Sequence, residues 1–303
     1  MALTINTNLS SIVAQKNLAN ATGSLNKAIE RMTTGYKINH ASDNAAGYSI
    51  ARNWETQLGS LDVAADNAAT GADMMSTLED HYSLISSHLQ RVRDLTEQAS
   101  NGTYGSDSLK AIRSEINARL EEIDRIAANC EFNGRKMMLG SGTGAITGDI
   151  YIQVGLYSGN DSKIKLDSTL FSSAKVSGLF TAAICGTAYA DAAAVANACT
   201  GYDADGNVVA GAVPSSMLDK IDKVIKQIST RTTTLGAAQN RIESAIESIG
   251  VQSENITSSL STLRDADISK ESSNYIQAQI LQQAAATLLS TANQTPSIAL
   301  NLL

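Results

Sequence analysis

The sequence predicts a mainly α-helical protein, an elongated antiparallel coiled-coil-like helical rod formed by the N- and C-terminal regions, with a small β-containing, irregular outer domain. Three observations predict it. Apolar residues recur at alternating three- and four-residue steps over long stretches toward both ends of the chain. No proline precedes Pro214, so the strongest helix breaker is missing from most of the chain. Between the periodic stretches, residues 140–213 lose the stripe and carry glycine-rich turns.

Taken in order, residues 5–33 form a first amphipathic segment, with Leu9, Ile12, Leu25, Ile29 and Met32 on its stripe. A long helix follows over residues 44–101. Its stripe runs Leu61, Ala65, Ala68, Ala72, Met75, Tyr82, Ile85, Leu89, Val92 and Ala99, and Leu78 and Leu95 keep it apolar beside Glu79 and Thr96. At the usual rise this helix is roughly 85 Å long, far beyond globular norms. Residues 107–129 read as a second helix, with Leu109, Ile112, Ile116, Leu120, Ile123 and Ala127 on one face and Ser106 or Asp107 as N-cap. The short link at 102–105 suits antiparallel neighbours.

In the middle segment Ile150, Ile152 and Val154 alternate before a turn, and residues 163–166 return as the second strand of a hairpin. The Ala-rich stretch 171–199 fits helix or coil. Pro214, Ser215 and Ser216 then open another helix. Its heptads run Leu218, Ile221, Ile225, Ile228, Leu235, Ile242, Ile246, Ile249, Ile256, Leu260 and Leu263, interrupted by Thr232, Gln239 and Ser253. Residues 268–293 close the pattern with Tyr275, Ala278, Leu281, Ala285 and Leu288. The expected organisation is terminal helices at 1–43 and 262–303, a long-helix rod at 44–139 and 214–261, and a solvent-facing outer domain at 140–213. The terminal stripes have no core of their own, so their ordering is expected to be coupled to assembly.

A net charge of −7 over 303 residues, with no basic stripe, argues against nucleic acid or an anionic membrane as partner. The start lacks a charged segment followed by an apolar one, so an ordinary signal peptide is not expected. Cys130, Cys185 and Cys199 show no metal-ligand spacing; a Cys185–Cys199 pair is an open alternative. His81 and His88, seven apart, read better as helix-surface residues than as metal ligands. No hydrolase, P-loop or dinucleotide motif occurs, so no enzyme activity and no cofactor are expected. The uncommon feature is the apolar, low-charge, Ala- and Gln-rich ends, which imply polymerisation or a partner groove.

Several stretches carry a resemblance. MALTINTNLSSIVAQKNL, RMTTGYKINHASDNAAGYSIA, LQRVRDLTEQASNGT, SEINARLEEIDRI, CEFNGRKMML, LGAAQNRIESAI, YIQAQILQQAAATLLSTANQ and the end at Leu302 and Leu303 occur in this order. They resemble the bacterial flagellins over about residues 1–140 and 215–303, and the middle matches no pattern. The resemblance implies a structural subunit that polymerises with itself into the extracellular flagellar filament. Export would run through the flagellar type III apparatus, with an export chaperone, a cap protein and hook-associated proteins as partners. Leu9, Ile12, Leu25, Ile29, Leu281, Ala285, Leu288 and Leu289, chosen by stripe, are the expected filament-core contacts. Recognition by Toll-like receptor 5 in this family implies a receptor-binding role for Arg91, Leu95 and Glu115, with Asp94 departing from the usual glutamate. The rival reading is a hook-filament junction protein, which shares helical terminal stripes.

Overall fold

The computed structural model describes residues 8–205, 207–209 and 214–300. The expected start at Ile5, the Leu302 and Leu303 end, and positions 206 and 210–213 of the outer segment lie outside the described residues. The described helices are α1 (Leu9–Thr34), α2 (Ala45–Ala99), α3 (Ser106–Asn129), α4 (Val176–Leu179), α5 (Ala182–Cys185), α6 (Ala192–Thr200), α7 (Pro214–Arg264) and α8 (Ile268–Leu300). Two small antiparallel hairpins complete the fold: β1 (Glu131–Phe132) with β2 (Arg135–Lys136), and β3 (Ile150–Gln153) with β4 (Lys163–Leu166). The chain separates into two units, Met1–Gly59 with Gln252–Leu303, and Ser60–Val251. Both boundaries fall inside the long helices α2 and α7.

In the Ser60–Val251 unit, α2 buries Leu61, Ala64, Ala68, Met75, Leu78, Tyr82, Ile85, Leu89, Val92 and Leu95 along one seam. The expected α2 stripe therefore holds, except that Ala64 replaces Ala65 and Gly71 replaces Ala72 as the buried position in its first half. α3 buries all six residues of its expected face. Arg93 bonds Asp222 at 2.6 Å and Glu79 accepts from Gln239 at 2.8 Å, so α2 and α7 run antiparallel. The seam of α7 differs from the heptad expected. Buried positions are Met217, Ile221, Val224, Ile228, Arg231, Leu235, Ala238, Ile242 and Ile249. One set of seam positions is as expected, while the other lies one residue earlier, on Met217, Val224, Arg231 and Ala238 in place of Leu218, Ile225, Thr232 and Gln239. Ile225 and Ile246 stand on the line that stays half-buried, whereas the packed one holds Met217, Val224, Arg231 and Ala238, so apolarity alone favoured the wrong one. Thr232 and Gln239 looked like interruptions because they flank the packed positions.

The middle segment shares this core. Ile152, Ile164 and Leu166 of the β3–β4 hairpin, Leu170, Phe171, and Val195, Ala196 and Cys199 of α6 are buried in the same cluster as the α2 and α3 residues. The hairpin register pairs Ile150 with Leu166 and Ile152 with Ile164, as the alternation predicts. Gly71 of α2 makes its seat: a Cβ there would lie 2.4 Å from Ile152 Cδ1. The open stretch 171–199 resolves into α4, α5 and α6, with Asp191 capping α6 through Ala194 N–H.

One further expectation is corrected and one open alternative is closed. The N-cap of α3 is Gly105 and makes no side-chain cap bond; Asp107 instead sits in the first turn, where its charge complements the helix dipole. Cys185 and Cys199 are not paired; they and Cys130 are buried free thiols. Burial pushes the Cys130 and Cys199 thiols up to about 12, which keeps them protonated and unreactive at neutral pH.

Candidate assembly surface and elbow

Within the terminal unit, α1 and α8 pack antiparallel. Asn8 donates to the Ala292 carbonyl at 2.7 Å, Gln282 to Thr22 Oγ1 at 3.2 Å, and Arg31 to Glu271 at 3.2 Å. The face between them is alanine: Ala14, Ala21 and Ala28 on α1, Ala278 and Ala285 on α8, each set spaced by sevens. Small residues at heptad positions let two backbones approach closely but remove little apolar surface from water. Asn8 caps α1 through Ser11 N–H, and Gly35 ends it in the left-handed region at φ 75°. Asp267 caps α8 by accepting from Ser269 and Lys270 N–H.

Large apolar side chains lie on the outside of this pair. Leu9 is 72% exposed, Ile12 57%, Leu281 53% and Leu288 62%, with Ile29 also exposed. Leu25 and Leu289 are half-buried. Ala285 is buried between α1 and α8, so it serves the pair itself. A cleft of about 650 Å³ runs along the pair, floored by these alanines and closed at one end by Arg31 and Glu271.

An elbow joins α1 to α2 and α7 to α8, and the sequence reading missed it. Its only signals were Gly35 and the short breaks between stripes. Tyr36 bridges Asp265, Lys37 N–H donates to the Arg264 carbonyl at 2.7 Å, and Ala266 N–H donates to the Gly35 carbonyl at 2.8 Å. Lys27 bonds Asp43 at 2.7 Å, and with the His40 and Asn39 amides it holds that carboxyl down at about 2. Asn44 caps α2 through Gly47 N–H.

Comparison with known families decides what this chain is. Residues 5–143 match the bacterial flagellin N-terminal helical region, and residues 218–303 match the bacterial flagellin C-terminal helical region. A flagellin from Halalkalibacterium halodurans is 32% identical, with 99% of both chains covered. The chain belongs to the bacterial flagellins. The flagellar filament 33 kDa core protein of Treponema phagedenis is 30% identical over 99% of both chains. Among solved structures, a Vibrio parahaemolyticus protein described as flagellar hook-associated matches with a TM-score of 0.57 at 13% identity, covering 74% of this chain and 100% of that one, a likeness of fold alone. Flagellins are structural subunits of the flagellar filament, not enzymes, and membership implies self-polymerisation. Residues 144–217 lie between the two family matches.

On the flagellin's α2–α3 face, Arg91 Nη2 lies 2.9 Å from Glu115 Oε1, with both side chains well exposed, and Arg119 stands 3.9 Å from the same carboxyl. Leu95 does not share that exposure. It is 2% exposed and part of the main core. The structure thus brings Arg91 and Glu115 together on the surface and puts Leu95 beneath. His81 and His88 are both half-buried on α2, and His81 Nδ1 lies 2.8 Å from the Thr77 carbonyl.

Proposed function

We propose that this flagellin builds its filament through the terminal α1–α8 pair, with Leu9, Ile12, Leu25, Ile29, Leu281, Leu288 and Leu289 meeting neighbouring subunits and Ala285 setting the spacing of the pair. The observation that carries this reading is the inversion of packing there: alanines inside, large aliphatic residues outside. Large aliphatic side chains left exposed in number along a helix pair mark a contact surface, and a subunit whose two sides differ joins its copies head to tail into an open helix. In this reading residues 1–43 and 262–303 form the filament interior and 140–213 face solvent. Export runs through the flagellar type III apparatus, with an export chaperone, a cap and hook-associated proteins as partners. The test is electron microscopy of the purified chain after seeding, with and without residues 1–43 and 262–303. Helical filaments from the full chain, lost on truncation, are expected. A full chain that stays soluble under every seeding condition favours the hook-filament junction reading.

The exposed Arg91–Glu115 pair supports a second role, as the surface read by Toll-like receptor 5. Leu95, being buried, holds the helix spacing beneath the pair. An Arg91→Ala variant is expected to lose receptor signalling in reporter cells while still forming filaments; full signalling by that variant refutes the assignment.

A further inference from the structure

The elbow converges on a single residue, Arg264, and what it does follows from the partners of its side chain and of its carbonyl. The Arg264 guanidinium lies over the Tyr36 ring at 4.0 Å and bonds the Glu55 carboxylate. Its own carbonyl receives Lys37 N–H, and two residues earlier the Thr262 carbonyl receives Lys37 Nζ at 2.7 Å. Arg264 is the last residue of α7, Tyr36 lies just after α1, and Glu55 is in the third turn of α2. One residue therefore ties the end of α7 to the beginning of α2 and to the chain leaving α1, all inside the terminal unit. Its side chain is only 16% exposed, whereas the other Glu55 partner, Arg52, is 59% exposed. A flat guanidinium stacks and forks in one fixed geometry, which an ammonium cannot do.

We propose that Arg264 is a positioning residue for assembly: it latches the elbow and so fixes the direction in which the α1–α8 pair leaves the adjoining turns of α2 and α7. The inference rests on the polymer reading above. In a head-to-tail helix each contact repeats the same rotation, so a small change of direction at the elbow accumulates along the lattice. A free hinge would let each subunit present its apolar face at a different angle. The latch removes that freedom before contact is made, which raises the rate of productive docking.

The full chain is compared with Arg264→Gln, Arg264→Lys and Tyr36→Leu in seeded growth, with helical rise and twist read by electron microscopy and the monomer's melting midpoint recorded alongside. Arg264→Gln is expected to melt with the parent, yet to elongate seeds roughly tenfold more slowly and to give filaments of altered rise and twist. Arg264→Lys and Tyr36→Leu, each losing the stacked plane, are expected to fall between. Growth and helical parameters equal to the parent's in Arg264→Gln overturn the proposal, as does slow growth accompanied by an equal loss of monomer stability. A parent chain that fails to elongate sinks the polymer reading and the latch with it; a growing parent beside an unaffected variant sinks the latch alone.

Discussion

The two units of this flagellin put side chains of different size in the same heptad positions. Along α2, α3 and α7 between Ser60 and Val251, the inward positions are mostly Leu, Ile, Val, Met and Tyr, with a minority of alanines such as Ala64, Ala68 and Ala238; Tyr82 even has its hydroxyl satisfied, donating to the Leu170 carbonyl at 2.7 Å. Along α1 and α8 the buried apolar positions are alanine, and Leu9, Ile12, Ile29, Leu281 and Leu288 stay exposed, with Leu25 and Leu289 half-buried. Each large buried side chain contributes on the order of 1.5–3 kcal/mol relative to exposure, and an alanine far less. The Ser60–Val251 unit therefore buries its large apolar side chains within the subunit, while on the proposed reading the exposed aliphatic residues of the terminal pair are left for neighbours. The lesson is that heptad spacing fixes where helices touch, and side-chain size decides whether the stability belongs to the subunit or to the assembly.

The largest expected effect breaks the comparison on its stable side. Ile116→Ala or Leu235→Ala, both fully buried, should each cost about 2–5 kcal/mol in denaturant unfolding of the monomer. Ile12→Ala and Leu288→Ala should leave that unfolding nearly unchanged while lowering filament stability in a depolymerisation assay. Next in size is Arg231, a buried guanidinium whose Nη1 donates to the Ser172 and Ser173 carbonyls at 3.3 Å each. Arg231→Met should cost about 1–3 kcal/mol, because those carbonyls lose a charged donor, and should speed hydrogen exchange in residues 168–180 with little change elsewhere. The smallest effect concerns acid. Asp43 is depressed to about 2 in the folded chain, so the stability it gives the α1–α2 corner is complete above the ordinary carboxylate range and is lost as pH falls through that range toward 2. Asp43→Asn should flatten the acid dependence of Trp54 fluorescence, the only tryptophan and a member of the same terminal unit.

The long helices and the β3–β4 hairpin were legible because period and alternation are local signals, and the cores of α2 and α3 followed from them. The α7 seam was legible only in part: Ile225 and Ile246 advertise one line while Met217, Val224 and Ala238 pack on the adjacent one, and only the facing helices arbitrate. The β1–β2 hairpin escaped notice although Asn133 and Gly134, both at positive φ, form the two-residue turn such dipeptides favour. Two-residue strands leave no alternation to read. The short α4, α5 and α6 were ambiguous because alanine-rich stretches carry no stripe until a neighbour defines which side is inward. Of the candidate site, the exposed leucines and isoleucines could be named from their stripe, but a stripe cannot say which of its members turns outward. Ala285, buried while Leu281 and Leu288 are exposed, shows this; Leu95 is buried as its stripe predicts, and only the resemblance made it a surface residue. The Arg264 elbow was invisible because its partners, Tyr36 and Glu55, are more than two hundred positions away in sequence.

Hydrogen exchange of the same chain as monomer and as filament tests the central claim most directly. The account predicts that amides of residues 9–34 and 268–293 exchange quickly in the monomer and become protected on assembly, while those of α3 and of α2 beyond Ser60 are protected in both. Terminal helices already as protected in the monomer as α3 would contradict it.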